Sequence, residues 1–87
     1  MRPESPEQEA RVWRWLERVF QPEDPMLAEI RRRSDRAGLP EIAVGSMDGH
    51  HLEVLTRVAG AARAVEIGTL GGYSGVNIAR GLAPGGK

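Results

Sequence analysis

The chain has 87 residues, 12 basic and 12 acidic side chains, a formal charge of zero and no cysteine. Those numbers limit it to one small domain that is marginal alone, exclude disulfides and thiolate metal sites, and argue against general electrostatic attraction to nucleic acid or an anionic membrane. No apolar run approaches the roughly 20 residues of a membrane span, and Met1-Arg2-Pro3-Glu4-Ser5-Pro6 lacks the apolar core of a signal peptide, so the expected setting is cytoplasmic.

In chain order, residues 1–4 read as a frayed start. Ser5-Pro6-Glu7-Gln8 opens a helix, with Ser5 as N-cap, Pro6 at the first helical position and Gln8 reaching back as in a capping box. Val12, Trp13, Leu16, Val19 and Phe20 recur at helical spacing, which gives an amphipathic helix ending near Phe20, ahead of Pro22 and Pro25. Trp13 is expected in the core, whereas Trp15 lies off the stripe and fits core or an oligomer contact. Asp24-Pro25 repeats the opening signal. Leu27, Ile30, Ser34 and Ala37 form a narrow stripe, and Gly38 and Pro40 close the helix. The run Arg31-Arg32-Arg33, with Arg36, reads as a solvated face paired with Glu29 and Asp35. A nucleic-acid surface would need more net charge and stacking aromatics.

Leu39 to Gly45 is an extended connection carrying Ile42 and Val44. Ser46 is placed to cap the next helix, with Asp48 in its first turn. Leu52, Leu55, Val58 and Ala59 would be its buried stripe and Gly60 its end. His50 and His51 are adjacent, so on a helix they diverge by about 100° and cannot chelate one ion together. No metal ligand is assigned anywhere in the chain.

Ala61 to Arg63 links into Ala64-Val65-Glu66-Ile67-Gly68-Thr69-Leu70-Gly71-Gly72-Tyr73-Ser74-Gly75. The first four residues read as a short buried parallel strand. A glycine turn follows, then a helix from Ser74, capped by Ser74, with Val76, Ala79, Leu82 and Ile78 inward and Asn77 and Arg80 outward. Strand, glycine turn and helix make the first half of a βαβ unit, whose ligands bind at the carboxyl end of the strand. Gly68 suits a positive φ, and Gly72 a close backbone approach. A dinucleotide fingerprint fails because Leu70 stands where its second glycine is needed, and a P-loop fails because no lysine follows before Lys87.

The string Glu66-Ile67-Gly68-Thr69-Leu70-Gly71-Gly72-Tyr73-Ser74 resembles motif I of the class I S-adenosylmethionine-dependent methyltransferases. Within them it is similar to the caffeoyl-CoA and catechol O-methyltransferase-like branch, which typically lacks the middle glycine. The resemblance is good over 42–87 and general over 1–41. It implies an α/β, Rossmann-like methyltransferase fold, with 1–41 as an N-terminal helical segment and 42–87 as the start of the cofactor-binding domain. The next strand would follow the turn at Ala83 to Lys87, so the sequence reads as the N-terminal part of a longer protein.

By the same resemblance the cofactor is S-adenosylmethionine. Val44, Gly68, Thr69 and Gly72 would line it, Glu66 would help hold its cationic methionine end, Tyr73 would pack beside it and Ser74 would bond its carboxylate. The last role also suits a helix N-terminus, which favours anions. The reaction implied is methyl transfer to a hydroxyl of a small catechol-like acceptor, assisted by a divalent, magnesium-like ion whose ligands lie past Lys87. No catalytic residue is assigned, and these 87 residues alone should lack turnover. The N-terminal helices could build a homodimer. Two other readings stay open: a different nucleotide-binding α/β enzyme, and a non-enzymatic helical interaction module using the two tryptophans and the arginine run.

Overall fold

The computed structural model describes residues 5–87, so the expectation for residues 1–4 lies outside the described residues. Four helices are present among them: α1 (Pro6–Phe20), α2 (Pro25–Arg36), α3 (Ser46–Val58) and α4 (Tyr73–Gly81). The first two begin where local chemistry dictates. Ser5 Oγ accepts the Gln8 N–H at 3.2 Å and Asp24 Oδ1 accepts the Leu27 N–H at 2.9 Å, each with proline in the first turn. α1 ends at Gln21 in a left-handed conformation, and α2 is followed by Gly38 at φ 76°.

α3 and α4 form the principal helix pair, with α2 against α4 and α1 against α3. Small residues make the α3–α4 approach close. Gly81 lies against the Glu53 carbonyl and the Thr56 side chain, and Gly49 lies against Asn77 and Tyr73. This rotates α3 relative to its apolar stripe: Leu55 is 54% and Val58 80% exposed, contrary to expectation. Asn77, expected outward, is 1% exposed because it faces Gly49, and its amide donates to the Tyr73 carbonyl at 2.9 Å. Ser46 does not cap α3. Gly45 takes the N-cap position, and the Ser46 hydroxyl reaches across to Glu17 of α1 instead.

The core is small. Leu27 and Tyr73, with Pro22 ahead of α2, are the buried apolar side chains among the described residues. α1 buries none, so Trp13, expected in the core, is 45% exposed on an open groove beside Met47 and Asp48. The radius of gyration is 14.4 Å, above the ~12 Å of a compact domain this long. The helices therefore form an open arrangement.

The strand expected at 64–67 is not formed, and no strand occurs among the described residues. The segment has no regular structure and bends at Ile67, with Val65 91% and Ile67 96% exposed. A strand needs a neighbour along its length, and here pairing is confined to the segment's start. The Lys87 N–H donates to the Ala62 carbonyl and the Ala64 N–H to the Lys87 oxygen, both at 2.9 Å. Two bonds from one residue to partners two apart follow the parallel pattern.

Candidate cofactor site

The turn joining residues 64–67 to α4 is shaped by its backbone. Gly68 has φ 80° and Gly72 φ 91°, and a side chain at Gly72 would be strained although nothing lies within 4 Å of its Cβ position. Conformation explains Gly72 within the protein, where the following helix does not crowd it and its backbone faces open space. Close approach is the role of Gly71, where a Cβ would collide with Ser34 Oγ of α2. Leu70, in place of the middle glycine of the methyltransferase pattern, keeps a left-handed backbone at φ 51°, a conformation that costs an ordinary residue about 1–2 kcal/mol. The Gly72 N–H donates to the Thr69 carbonyl at 2.9 Å and closes the turn.

α4 opens one residue earlier than expected, at Tyr73, with Gly72 as N-cap and no side-chain cap. Ser74 is therefore inside the first turn, and its hydroxyl donates to Glu66 Oε2 across the turn. Gly75 leaves room for the same carboxylate, whose Oε1 lies 3.2 Å from the position a Cβ would take. The N–H groups of Tyr73, Ser74 and Gly75 precede the first bond of the helix, from Val76 N–H to the Gly72 carbonyl at 3.0 Å. They provide a positive helix end suited to an anion.

The connection before α3 is tied to the start of α4 through Arg31. The Val44 carbonyl accepts from Arg31 Nη2 at 2.6 Å. Arg31 also donates through Nε to Glu23 Oε1 at 2.7 Å, and its guanidinium carbon lies 4.0 Å from the Tyr73 ring centroid. The Tyr73 hydroxyl donates to the same Glu23 oxygen at 2.6 Å. Burial and the bond to Glu23 push the Tyr73 phenol up to about 12, against the opposing charge of Arg31. Burial pushes the Glu23 carboxyl up too, but bonds from Tyr73 and Arg31 and the charges of Arg31 and Arg32 outweigh it and hold it below its ordinary value.

The arginine run thus divides. Arg32, Arg33 and Arg36 all pair with Glu29, the acid the solvated-face reading named first, while Asp35 takes none of them. Arg31 does not join them. It follows the buried Leu27 by four residues, so it lies on the inward stripe of α2, and that spacing was the available sign of its role. Beside it is a cleft of about 240 Å³ lined by Ile30, Arg31, Ser34, Pro40, Leu70 and Tyr73, among others.

Of the seven residues proposed for the cofactor, Glu66, Gly68, Thr69, Gly72, Tyr73 and Ser74 form the turn and the first turn of α4, while Val44 is joined to Tyr73 through Arg31. Glu66 and Ser74 are half-buried, Thr69 and Gly68 are exposed, and Tyr73 is buried. No group of three potential ligands could hold a metal ion among the described residues, His50 and His51 included.

Similarity to known proteins fits this geometry. A family model described as O-methyltransferase matches residues 17–87. A catechol O-methyltransferase of Mycobacterium tuberculosis (strain ATCC 25618 / H37Rv) is 42% identical over 73 residues, covering 84% of this chain and 33% of that protein. A catechol O-methyltransferase of Niastella koreensis (strain DSM 17620 / KACC 11465 / NBRC 106392 / GR20-10) is 35% identical over 65 residues, 75% of this chain and 29% of that one. The crystal structure of an O-methyltransferase from Bacillus cereus in complex with SAH superposes with a TM-score of 0.85 at 39% identity, covering 88% of this chain and 35% of that one. The chain spans about a third of the length of the curated relatives it matches. It belongs to the O-methyltransferase family.

Proposed function

We propose that this chain supplies the methionine-binding half of the cofactor site of an S-adenosylmethionine-dependent O-methyltransferase. The observation that carries the reading is the Glu66–Ser74 bond across the glycine turn, at the mouth of α4. The free N–H groups suit a carboxylate, which Ser74 joins by turning its hydroxyl from Glu66, and the Glu66 carboxylate so released suits the cationic end of an amino acid. Gly68, Thr69 and Gly72 offer open backbone, and Val44 and Tyr73 wall the two sides. The cofactor supplies an electrophilic methyl group on a sulfonium. The part of these residues is to hold that group in line with an acceptor oxygen, since orientation is the main contribution a protein makes to such a transfer.

The acceptor in this reading is a small catechol-like aromatic, by analogy with the curated relatives. The divalent ion of the resembling enzymes finds no ligand set among residues 5–87. We place it on other residues and derive no step through it. The division into a helical segment at 1–41 and the start of a Rossmann-like cofactor domain at 42–87 belongs to the same proposal. So does the reading of residues 64–67 and 86–87 as neighbouring parallel strands of one sheet. A homodimer through the exposed tryptophans of α1 is a further part of it, and the cytoplasm is the setting proposed. No helix among the described residues is long and apolar enough to cross a membrane.

The test is methyl transfer by the whole gene product that carries this sequence. With labelled S-adenosylmethionine, magnesium and catechol, label should appear in an O-methylated catechol. Binding of the cofactor without transfer to any catechol would remove the acceptor class, and no binding would remove the cofactor reading.

A further inference from the structure

The arginine run on α2 places three guanidinium groups on Glu29 and sends the fourth inward. Arg31 meets three partners in three directions: Glu23 in the link between α1 and α2, the Val44 carbonyl before α3, and the face of Tyr73 at the start of α4. These partners are 8, 13 and 42 residues away in sequence, so one side chain ties four segments together. Tyr73 closes the loop by donating to the oxygen of Glu23 that Arg31 also holds.

We propose that Arg31 is a positioning residue for the cofactor crevice, fixing the Val44 edge against the Tyr73 edge through Glu23, the Val44 carbonyl and the tyrosine ring. It rests on the reading that Val44 and the turn before α4 line the cofactor. The guanidinium is suited to this because its donors are fixed in a plane that can stack on a ring while bonding at its edge. A lysine carries the charge but offers one compact ammonium, which cannot serve a carboxylate, a carbonyl and a ring face at once. With Arg31 absent, the connection at 40–45 loses its tie to α2 and α4. The crevice must then be assembled when the cofactor arrives, and the ordering cost appears as lost affinity.

The experiment uses the whole gene product, with SAH affinity read by calorimetry and methyl transfer by steady-state kinetics. Arg31→Met should weaken SAH by about tenfold and raise the cofactor KM similarly, with kcat at saturating cofactor within about twofold, the pattern of a lost uniform binding contribution. Arg31→Lys should stay closer to Arg31→Met than to the wild type, because geometry and not charge is at stake. Glu23→Gln keeps the shape and both acceptor contacts while weakening the anchor. It should cost SAH affinity about threefold, and it decides the matter where Arg31→Met does not fold. Wild-type protein that fails to bind SAH would sink the underlying cofactor reading. Wild-type binding with Arg31→Met, or with Glu23→Gln in its place, inside twofold of it would overturn this inference alone, as would full rescue by lysine.

Discussion

Gly71→Ala tests whether the turn is seated on α2 as described. An alanine Cβ there would collide with Ser34 Oγ, come within 3.3 Å of Ser34 Cβ and meet Leu39 Cδ1 at 3.7 Å. The backbone at Gly71 is not left-handed, so space alone decides the outcome. Ser34 can yield only by rotating its hydroxyl away from the Ile30 carbonyl, a 2.8 Å bond worth about 1 kcal/mol. The remaining Cβ–Cβ squeeze adds overpacking, about 1–2 kcal/mol, for a total of about 2–3 kcal/mol. Ser34→Ala alone should change stability by less than ~0.5 kcal/mol, since the lost bond to the Ile30 carbonyl is offset in part by alanine's better helix propensity, about 0.5 kcal/mol. In the Ser34→Ala background, Gly71→Ala should cost about 1 kcal/mol less than in the wild type. Urea unfolding of the four proteins of this cycle, with m-values compared, measures the coupling. Equal costs in both backgrounds would refute the packing of the turn against α2.

Other predictions follow from the same contacts. Gly81→Ala should destabilise by about 1–3 kcal/mol, although glycine to alanine in a helix ordinarily stabilises. A Cβ would press on the Glu53 carbonyl, a backbone atom that cannot rotate away, and a raised Tm would contradict the α3–α4 contact. Glu66→Gln and Ser74→Ala should each weaken SAH binding, by about fivefold or more as a charge-assisted bond is lost, and their double variant should cost less than the sum when assayed by calorimetry. The Tyr73 phenol, raised to about 12 when folded, binds its proton more tightly than the ordinary tyrosine value of about 10. The stability it contributes is therefore complete below pH ~10 and lost as pH rises towards 12. Glu23 is depressed, so its contribution is present above the ordinary carboxylate range and lost as pH falls through its folded value. Ultraviolet titration of the wild type against Tyr73→Phe should reveal one late phenol, and a Tyr73 titrating near 10 would break the Glu23–Tyr73 link.

Local signals in the sequence were legible because they act over three or four residues. Ser5-Pro6 and Asp24-Pro25 started helices where such pairs should, and Gly38 took its left-handed turn. The glycine turn could be read as a turn because Gly68 and Gly72 take left-handed backbone there. Long-range choices were hidden. Arg31 looked like its three neighbours until Glu23, Val44 and Tyr73 came together around it. The phase of α3 was misjudged because packing followed Gly49, Glu53 and Thr56, where backbones can approach, rather than the larger Leu55 and Val58. Ser46 and Ser74 are ordinary capping residues by type, yet each spends its hydroxyl on a distant glutamate. A segment becomes a strand only with a partner along its length, and residues 64–67 are paired at one end alone.

The claim that bears most weight is that the turn between Glu66 and Ser74 receives the methionine end of the cofactor. A crystal structure of the whole gene product with SAH measures this directly. The SAH carboxylate should lie within hydrogen-bond reach of Ser74 and the first N–H groups of α4, with Val44 on the opposite side. SAH density located away from residues 66–74 would contradict the account.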